Sequence, residues 1–173
     1  MKSAIEQEPV RQKVIVYHGG TERIEHPLAR MGREGLDFGR GFYVTDLRQQ
    51  AEGWALRMAR IRNVQGVVNV YELDIERVKQ TFAYHHFDKY DEAWLMFIVQ
   101  NRNGSYQGEQ YDMVEGGVAD DRVIDTVEAY MAELMPLDMA LRNLSEHRPN
   151  NQMCIRTQRV IDECLRFVES YQI

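Results

Sequence analysis

The sequence predicts an α+β domain, on three observations. Short β-prone segments and amphipathic helical segments are interspersed without a regular βαβ alternation, which argues against a doubly wound sheet. The 173 residues, 44% of them hydrophobic, suit one domain with a core large enough to need no disulfide or metal. No repeat, low-complexity tract or interdomain linker interrupts residues 13–173, and residues 1–12 (MKSAIEQEPVRQ) are polar, aperiodic and expected to be flexible.

The elements follow in order. Lys13–Tyr17 is a continuous apolar run, as in a strand covered on both faces. From residue 19 to about 40 the chain is rich in glycine and charge (Gly19, Gly20, Gly32, Gly35, Gly39), and a loop of that length inside a compact domain is usually functional. Gly41–Thr45 is the second strand. Thr45 or Asp46 then caps a helix whose apolar positions are Leu47, Ala51, Trp54, Ala55, Met58 and Ile61, with Gln49 completing a capping box and Gly66 ending it. Val67–Asp74 alternates imperfectly as a strand.

Phe82–Phe87 is ambiguous. Asp88 or Asp91 starts a helix burying Ala93, Trp94, Phe97 and Ile98, which Asn103–Gly104 breaks. Tyr111–Gly117 is a strand running into a turn, and Asp120 or Asp121 caps a helix with Val123, Ile124, Val127, Tyr130, Met131 and Leu134 on its face. Pro136 restarts a helix through Leu144. His147–Asn151 turns, Gln152–Arg156 is a short strand, and Thr157 caps a last helix carrying Val160, Ile161, Cys164, Leu165 and Val168.

Charge and cysteine usage narrow the function classes. A net charge of −6 speaks against a broad nucleic-acid or anionic-membrane footprint. Cys154 and Cys164 have no CxxC spacing and read as two thiols in a reducing compartment. With no leader-like start and no run near the ~20 apolar residues of a membrane span, a cytoplasmic protein without membrane contact is expected. His85–His86 with Asp88 invites a metal reading, but adjacent histidines on a strand point apart, so no metal is expected. No nucleophile elbow, phosphate loop or metalloprotease helix is present.

What remains as candidate chemistry is a pair of segments. Val14–Gly20 ends in His18–Gly19–Gly20, and Gly39–Thr45 carries Arg40, Phe42 and Tyr43. Each sets a β-prone run against glycines, where backbone can approach a ligand closely. An imidazole donates and accepts at once, an aromatic ring stacks on a flat ligand, and Arg40 suits an anionic pyrophosphate. Phe42 and Tyr43, adjacent in a strand, point to opposite faces, and either is open as the pocket ring. Taken singly, each also has an ordinary structural or solvated role.

Together these segments resemble the nucleotide-binding heart of the diphtheria-toxin and poly(ADP-ribose)-polymerase class of ADP-ribosyltransferases. The segment Asp37–Tyr43, the acidic Tyr111–Asp121 segment and the Asn150–Asn151–Gln152 strand start occur in the same order in a bacterial domain family assigned to that fold, and the likeness spans about residues 14–168. It implies two small antiparallel or mixed sheets, surrounded by helices, that hold NAD in a cleft. It implies that NAD is a substrate, with His18 on the adenosine-side ribose, the backbone of Gly19 (beside Gly20) on the nicotinamide amide, and Tyr43 stacked on nicotinamide. The class usually has Glu where Gln152 stands, holding the ribose 2′-hydroxyl. An amide can accept that hydrogen bond yet brings no charge against a cationic sugar, and Glu115 is a remote substitute. Asp120 and Asp121 are accounted for by capping.

The expected function is therefore NAD-dependent mono-ADP-ribosyl transfer to an unknown macromolecular acceptor. The genomic setting of the resembling family suggests the toxin of a toxin–antitoxin pair, with a small antitoxin-like protein as partner. The alternative is a catalytically silent NAD-binding or interaction module of the same fold. An NAD glycohydrolase or an RNA 2′-phosphotransferase is a weaker third.

Overall fold

The computed structural model describes residues 12–173, so the expectation for residues 1–11 lies outside the described residues. Seven strands form two open sheets. In the first, β1 (Lys13–Gly20), β3 (Val67–Asp74) and β7 (Leu165–Gln172) lie in the order β1–β3–β7, all antiparallel. In the second, β2 (Phe42–Val44), β6 (Gln152–Ile155), β5 (Met113–Gly116) and β4 (Tyr84–Phe87) lie in that order, with only the β5–β4 pair parallel. The sheets meet where the Tyr17 N–H donates to the Thr45 carbonyl at 2.7 Å and the Thr45 N–H to the Tyr17 carbonyl at 2.9 Å.

Strand alternation divides the core. Val16, Phe42, Tyr71, Leu73, Met113, Met153 and Ile155 fill the layer shared by the two sheets. Val114 and Cys154 face the other way, into a cluster with Phe38, Trp94, Leu95, Ile98 and Leu144 built largely by α3 (Glu92–Arg102), α4 (Ile124–Met131) and α5 (Leu137–Ser145). Asp91 caps α3 by accepting from the Trp94 N–H at 3.0 Å, the role the sequence offered it.

The helix α1 (Arg48–Arg62) lies across β1 but is rotated from the expected face. Ala51, Ala55 and Ala59 are buried, while Leu47, Trp54 and Ile61 stay exposed. The cause is Gly19: a Cβ there would sit 2.0 Å from the Ala51 carbonyl oxygen, so this crossing admits only alanine against glycine. Its start is held by the Thr45 hydroxyl, which accepts from the Leu47 N–H at 3.0 Å, in place of an Asp46 cap. Its end is Asn63, whose φ of 53° stops the helix before Gly66.

Other expectations are corrected. The segment before Phe82 is helical as α2 (Ile75–Thr81), capped by Asp74, and Tyr84–Phe87 resolves as strand. Asp120 does not cap α4, which begins after Val123; its carboxylate bonds Arg122 and Asn150, and Leu134 is 82% exposed. The last helix stops early: α6 covers Gln158–Cys164, and Leu165 onward is β7, because Tyr71, Glu72 and Leu73 of β3 have a free edge that Phe167, Arg166 and Leu165 pair with. Tertiary pairing overrides the helical spacing that runs on to Val168.

The α1–β1 contact gives a direct stability prediction. Gly19→Val is expected to destabilise the fold by roughly 3 kcal/mol in urea unfolding, the upper range for overpacking. Gly20→Ala, whose new Cβ would meet nothing nearer than the His18 ring at 3.5 Å, should leave the midpoint almost unchanged.

Candidate functional site

His18 is placed by the junction of the sheets. Tyr17 binds Thr45, so the next residue lies against the outer edge of β2, where His18 Nδ1 is 2.7 Å from the Tyr43 carbonyl oxygen. A carbonyl only accepts, so Nδ1 carries the proton and Nε2 presents a lone pair. The imidazole stacks on Phe42 with ring centroids 4.5 Å apart, and Phe42 in turn meets the edge of Tyr71 at 5.6 Å. Burial lowers the His18 pKa below its ordinary 6.5, opposed in part by the Tyr43 carbonyl. Gly20 leaves room beside Nε2.

Alternation sends Phe42 toward His18 and Tyr43 through to the other face. The Tyr43 hydroxyl donates to the Gly39 carbonyl at 2.5 Å and accepts from the Phe38 N–H at 3.1 Å, which fixes the Gly39 turn, where φ is 78°. Burial, with the Cys154 thiol beside it, pushes the phenol pKa well up. Cys154 is itself raised to about 12 by burial, so it is no nucleophile.

Gln152 opens β6 opposite Gly116 and shares the Tyr43 face through the Tyr43–Cys154 pair. It is 8% exposed, and its Nε2 is buried with no hydrogen-bond partner. Its position is held by its neighbour. The Asn151 carbonyl accepts from the Thr45 hydroxyl at 2.7 Å and from Gln50 Nε2 at 2.8 Å, while Asn151 Nδ2 donates to Glu115 at 2.9 Å and Asp46 at 3.0 Å. Thus β1, β2 and β6 meet at one junction, with His18 on the Phe42 face of β2 and the Tyr43 ring and Gln152 on the opposite face.

Glu115 is already engaged: Tyr84 donates to one oxygen and Asn151 to the other. Arg40 stands apart, pairing with Glu34 at 2.6 Å and lining a hollow that none of His18, Tyr43 or Gln152 touches. His85 stacks on Tyr111 (4.9 Å) and meets Phe87, and no group of three or more His, Cys, Asp or Glu able to hold a metal occurs among the described residues. No helix of the described residues is long and apolar enough to cross a membrane.

Sequence reasoning took Thr45 as a helix cap and Asn150 and Asn151 as part of a strand start, and missed the hydrogen bonds by which they hold this junction. Asn150 accepts from the Val118 N–H at 2.8 Å and donates to Asp120 at 2.8 Å, closing the acidic segment over the start of β6. Two asparagines before a strand are the signal that could have found them, since such amides satisfy backbone groups at strand ends.

A family model described as a protein of unknown function, DUF3990, matches residues 14–167. The chain belongs to the DUF3990 family. That match takes in both glycine-flanked segments, the acidic segment and β6, so His18, Tyr43, Asn151 and Gln152 all lie within the DUF3990 region. No curated protein and no solved structure matches the chain.

The lowered pKa of His18 carries a pH dependence of defined sign. The unfolded chain takes up the imidazole proton near pH 6.5 and the folded chain only below that, so this stabilisation is present above 6.5 and is lost as pH falls through the folded pKa. Urea midpoints measured from about pH 7.5 down to about 5 should therefore fall more steeply for the wild type than for His18→Gln.

Proposed function

We propose that this chain is an NAD-dependent mono-ADP-ribosyltransferase. The observation that carries the reading is the junction itself: a neutral imidazole with its Nε2 lone pair available and a buried amide with an unmade hydrogen bond each adjoin, in sequence, the Tyr17–Thr45–Asn151 chain of hydrogen bonds. A buried amide without a partner costs about 1–3 kcal/mol, which a ligand oxygen at Nε2 would recover. The reading also draws on the likeness of the Val14–Gly20, Asp37–Tyr43 and Asn150–Gln152 segments to the ADP-ribosyltransferase class.

In this reading NAD supplies an activated ribose: the bond from C1′ to nicotinamide nitrogen breaks, its electron pair leaves with neutral nicotinamide, and an acceptor nucleophile bonds C1′ and loses its proton. His18 accepts a ribose hydroxyl at Nε2, and Gly19 and Gly20 offer backbone. Phe42, stacked on the imidazole, is the ring on the His18 side of β2, and Tyr43, anchored at the Gly39 turn, braces the strand from the other face. Gln152 Oε1 accepts the 2′-hydroxyl and Nε2 donates to a ligand oxygen. The transition state is cationic at the sugar, as in glycoside cleavage, and the neutral amide orients it without balancing its charge.

The missing charge favours a second reading, a module that binds NAD without cleaving it. The two separate on nicotinamide release. Wild-type protein incubated with labelled NAD and cell lysate should release nicotinamide and label a macromolecule, with Gln152→Ala slower by at least about tenfold, or about 1.4 kcal/mol in the barrier. Binding of NAD with no release would establish the silent module, and release without labelling a glycohydrolase. In cells, overproduced wild type should slow growth and His18→Ala should relieve it; equal growth of both counts against the toxin.

A further inference from the structure

At the other end of β2 and β6 the chain holds a second polar site. The register Phe42 to Ile155 carries Arg40 and Arg156 past one end of the strand pair, while Gln152 lies at the opposite end. There a cavity of about 630 Å³ opens between the Ala29–Met31 turn, the segment before β5 and the start of α6. Arg30, Arg40 and Arg156 line it, against one carboxylate, Asp112, whose Oδ2 is turned to the Ala83 N–H at 2.9 Å. In a chain of net charge −6 this is a local excess of positive charge.

Two buried donors there are unspent. Arg156 Nη1 and Thr157 Oγ1 are buried and have no partner, although Thr157 stands where a helix-capping bond would be made. Arg30 makes no ion pair among the described residues, and the one pair that reaches the cavity, Arg40 with Glu34, is half-exposed and therefore weak. A guanidinium cannot shed its proton, so a buried N–H of Arg156 without an acceptor is a standing cost. The walls are fixed regardless of any ligand. Gln158 accepts from the Ala29 N–H at 3.1 Å and donates to the Pro27 carbonyl at 3.2 Å, and the Arg156 N–H donates to the Asp112 carbonyl at 2.8 Å.

We propose that the Arg30–Arg40–Arg156 cavity is a binding site for a phosphate ester of nucleotide size. Guanidinium forks match the oxygens of a phosphate, and the Thr157 hydroxyl adds a further donor. The volume exceeds that of a bare anion and falls within the range of small-molecule sites. The Tyr111 ring and the Leu28 side chain at its rim give the organic part an apolar wall. The site shares no residue with the His18–Gln152 junction and does not rest on the reading of that junction.

Titration calorimetry with uridine 5′-monophosphate and with uridine tests this on the full chain. The monophosphate should bind at least tenfold more tightly than the nucleoside. Arg156→Gln should weaken it at least tenfold and Arg30→Gln, a surface change that leaves folding intact, at least threefold, with His18→Ala binding as the wild type does. A 5′-phosphorylated oligonucleotide binding more tightly than the mononucleotide would identify a nucleic-acid end as the source of the phosphate, and the reverse order a free nucleotide. Equal binding of nucleoside and nucleotide, no loss in Arg30→Gln, or loss in His18→Ala would each overturn the proposal, whatever the outcome with NAD.

Discussion

Two hydrogen bonds between Tyr17 and Thr45 join what would otherwise be two separate sheets. Their importance lies in geometry more than in energy, since each contributes only about 1 kcal/mol net. Both strands involved are edge strands of their sheets, so the pair closes two edges at once. It sets the register of the next residue on β1 against the last turn of β2, and this delivers His18 Nδ1 to the Tyr43 carbonyl. The Thr45 side chain then extends the same contact to the Asn151 carbonyl and the Leu47 N–H. One residue therefore ties β1, β2, β6 and α1 to a common point.

The long glycine-rich segment after β1 is organised from the same sheet. Asn69, wholly buried and paired with His18 in the strand register, accepts from the Ile24 N–H at 2.8 Å and donates to the Glu22 carbonyl at 2.9 Å. The Tyr71 hydroxyl donates to the Ile24 carbonyl. Buried polar groups need such partners, and here the partners are loop backbone, so satisfying Asn69 and Tyr71 also fixes the chain that leaves His18. The long loop read from its glycine and charge content is thus folded down over the first sheet.

The elements legible in the sequence were those whose signal is local. Asp91 and the apolar run after it located α3; Lys13–Tyr17 and Val67–Asp74 located two of the three strands of the first sheet; the mixture of elements gave the α+β class. What the sequence withheld depends on partners distant in the chain. Leu165–Val168 continues the spacing of α6, and only the unpaired edge of β3 turns it into a strand. Trp54 and Ile61 are large apolar residues of α1 and yet face solvent, because Gly19 brings the helix too near β1 for anything larger than alanine. For the candidate junction, His18 and Gln152 were legible as residue types at strand ends. The opposite directions of Phe42 and Tyr43 were legible only as a choice, which the contact of Phe42 with His18 decides. The cavity around Arg156 was not legible, since Arg30, Arg40 and Arg156 come together only when β2 and β6 pair.

Gln152 is where stability and function pull against each other. A carboxylate in its place would be stripped of water, since Gln152 is buried opposite Gly116 and two residues before the buried Cys154. An isolated buried charge of that kind costs several kcal/mol and would be relieved by taking up a proton. The amide escapes this cost because it is neutral at every pH. Its unmade hydrogen bond is a smaller penalty that an incoming oxygen removes, so the folded chain is stabilised by whatever ligand the junction accepts. For the proposed reaction the amide would lack negative charge opposite a developing cation, and Glu115, the nearest carboxylate in the strand register, is already held by Tyr84 and Asn151. In the proposed reading, binding at this junction is therefore favoured over rate acceleration, and catalysis would come chiefly from holding the ribose in position.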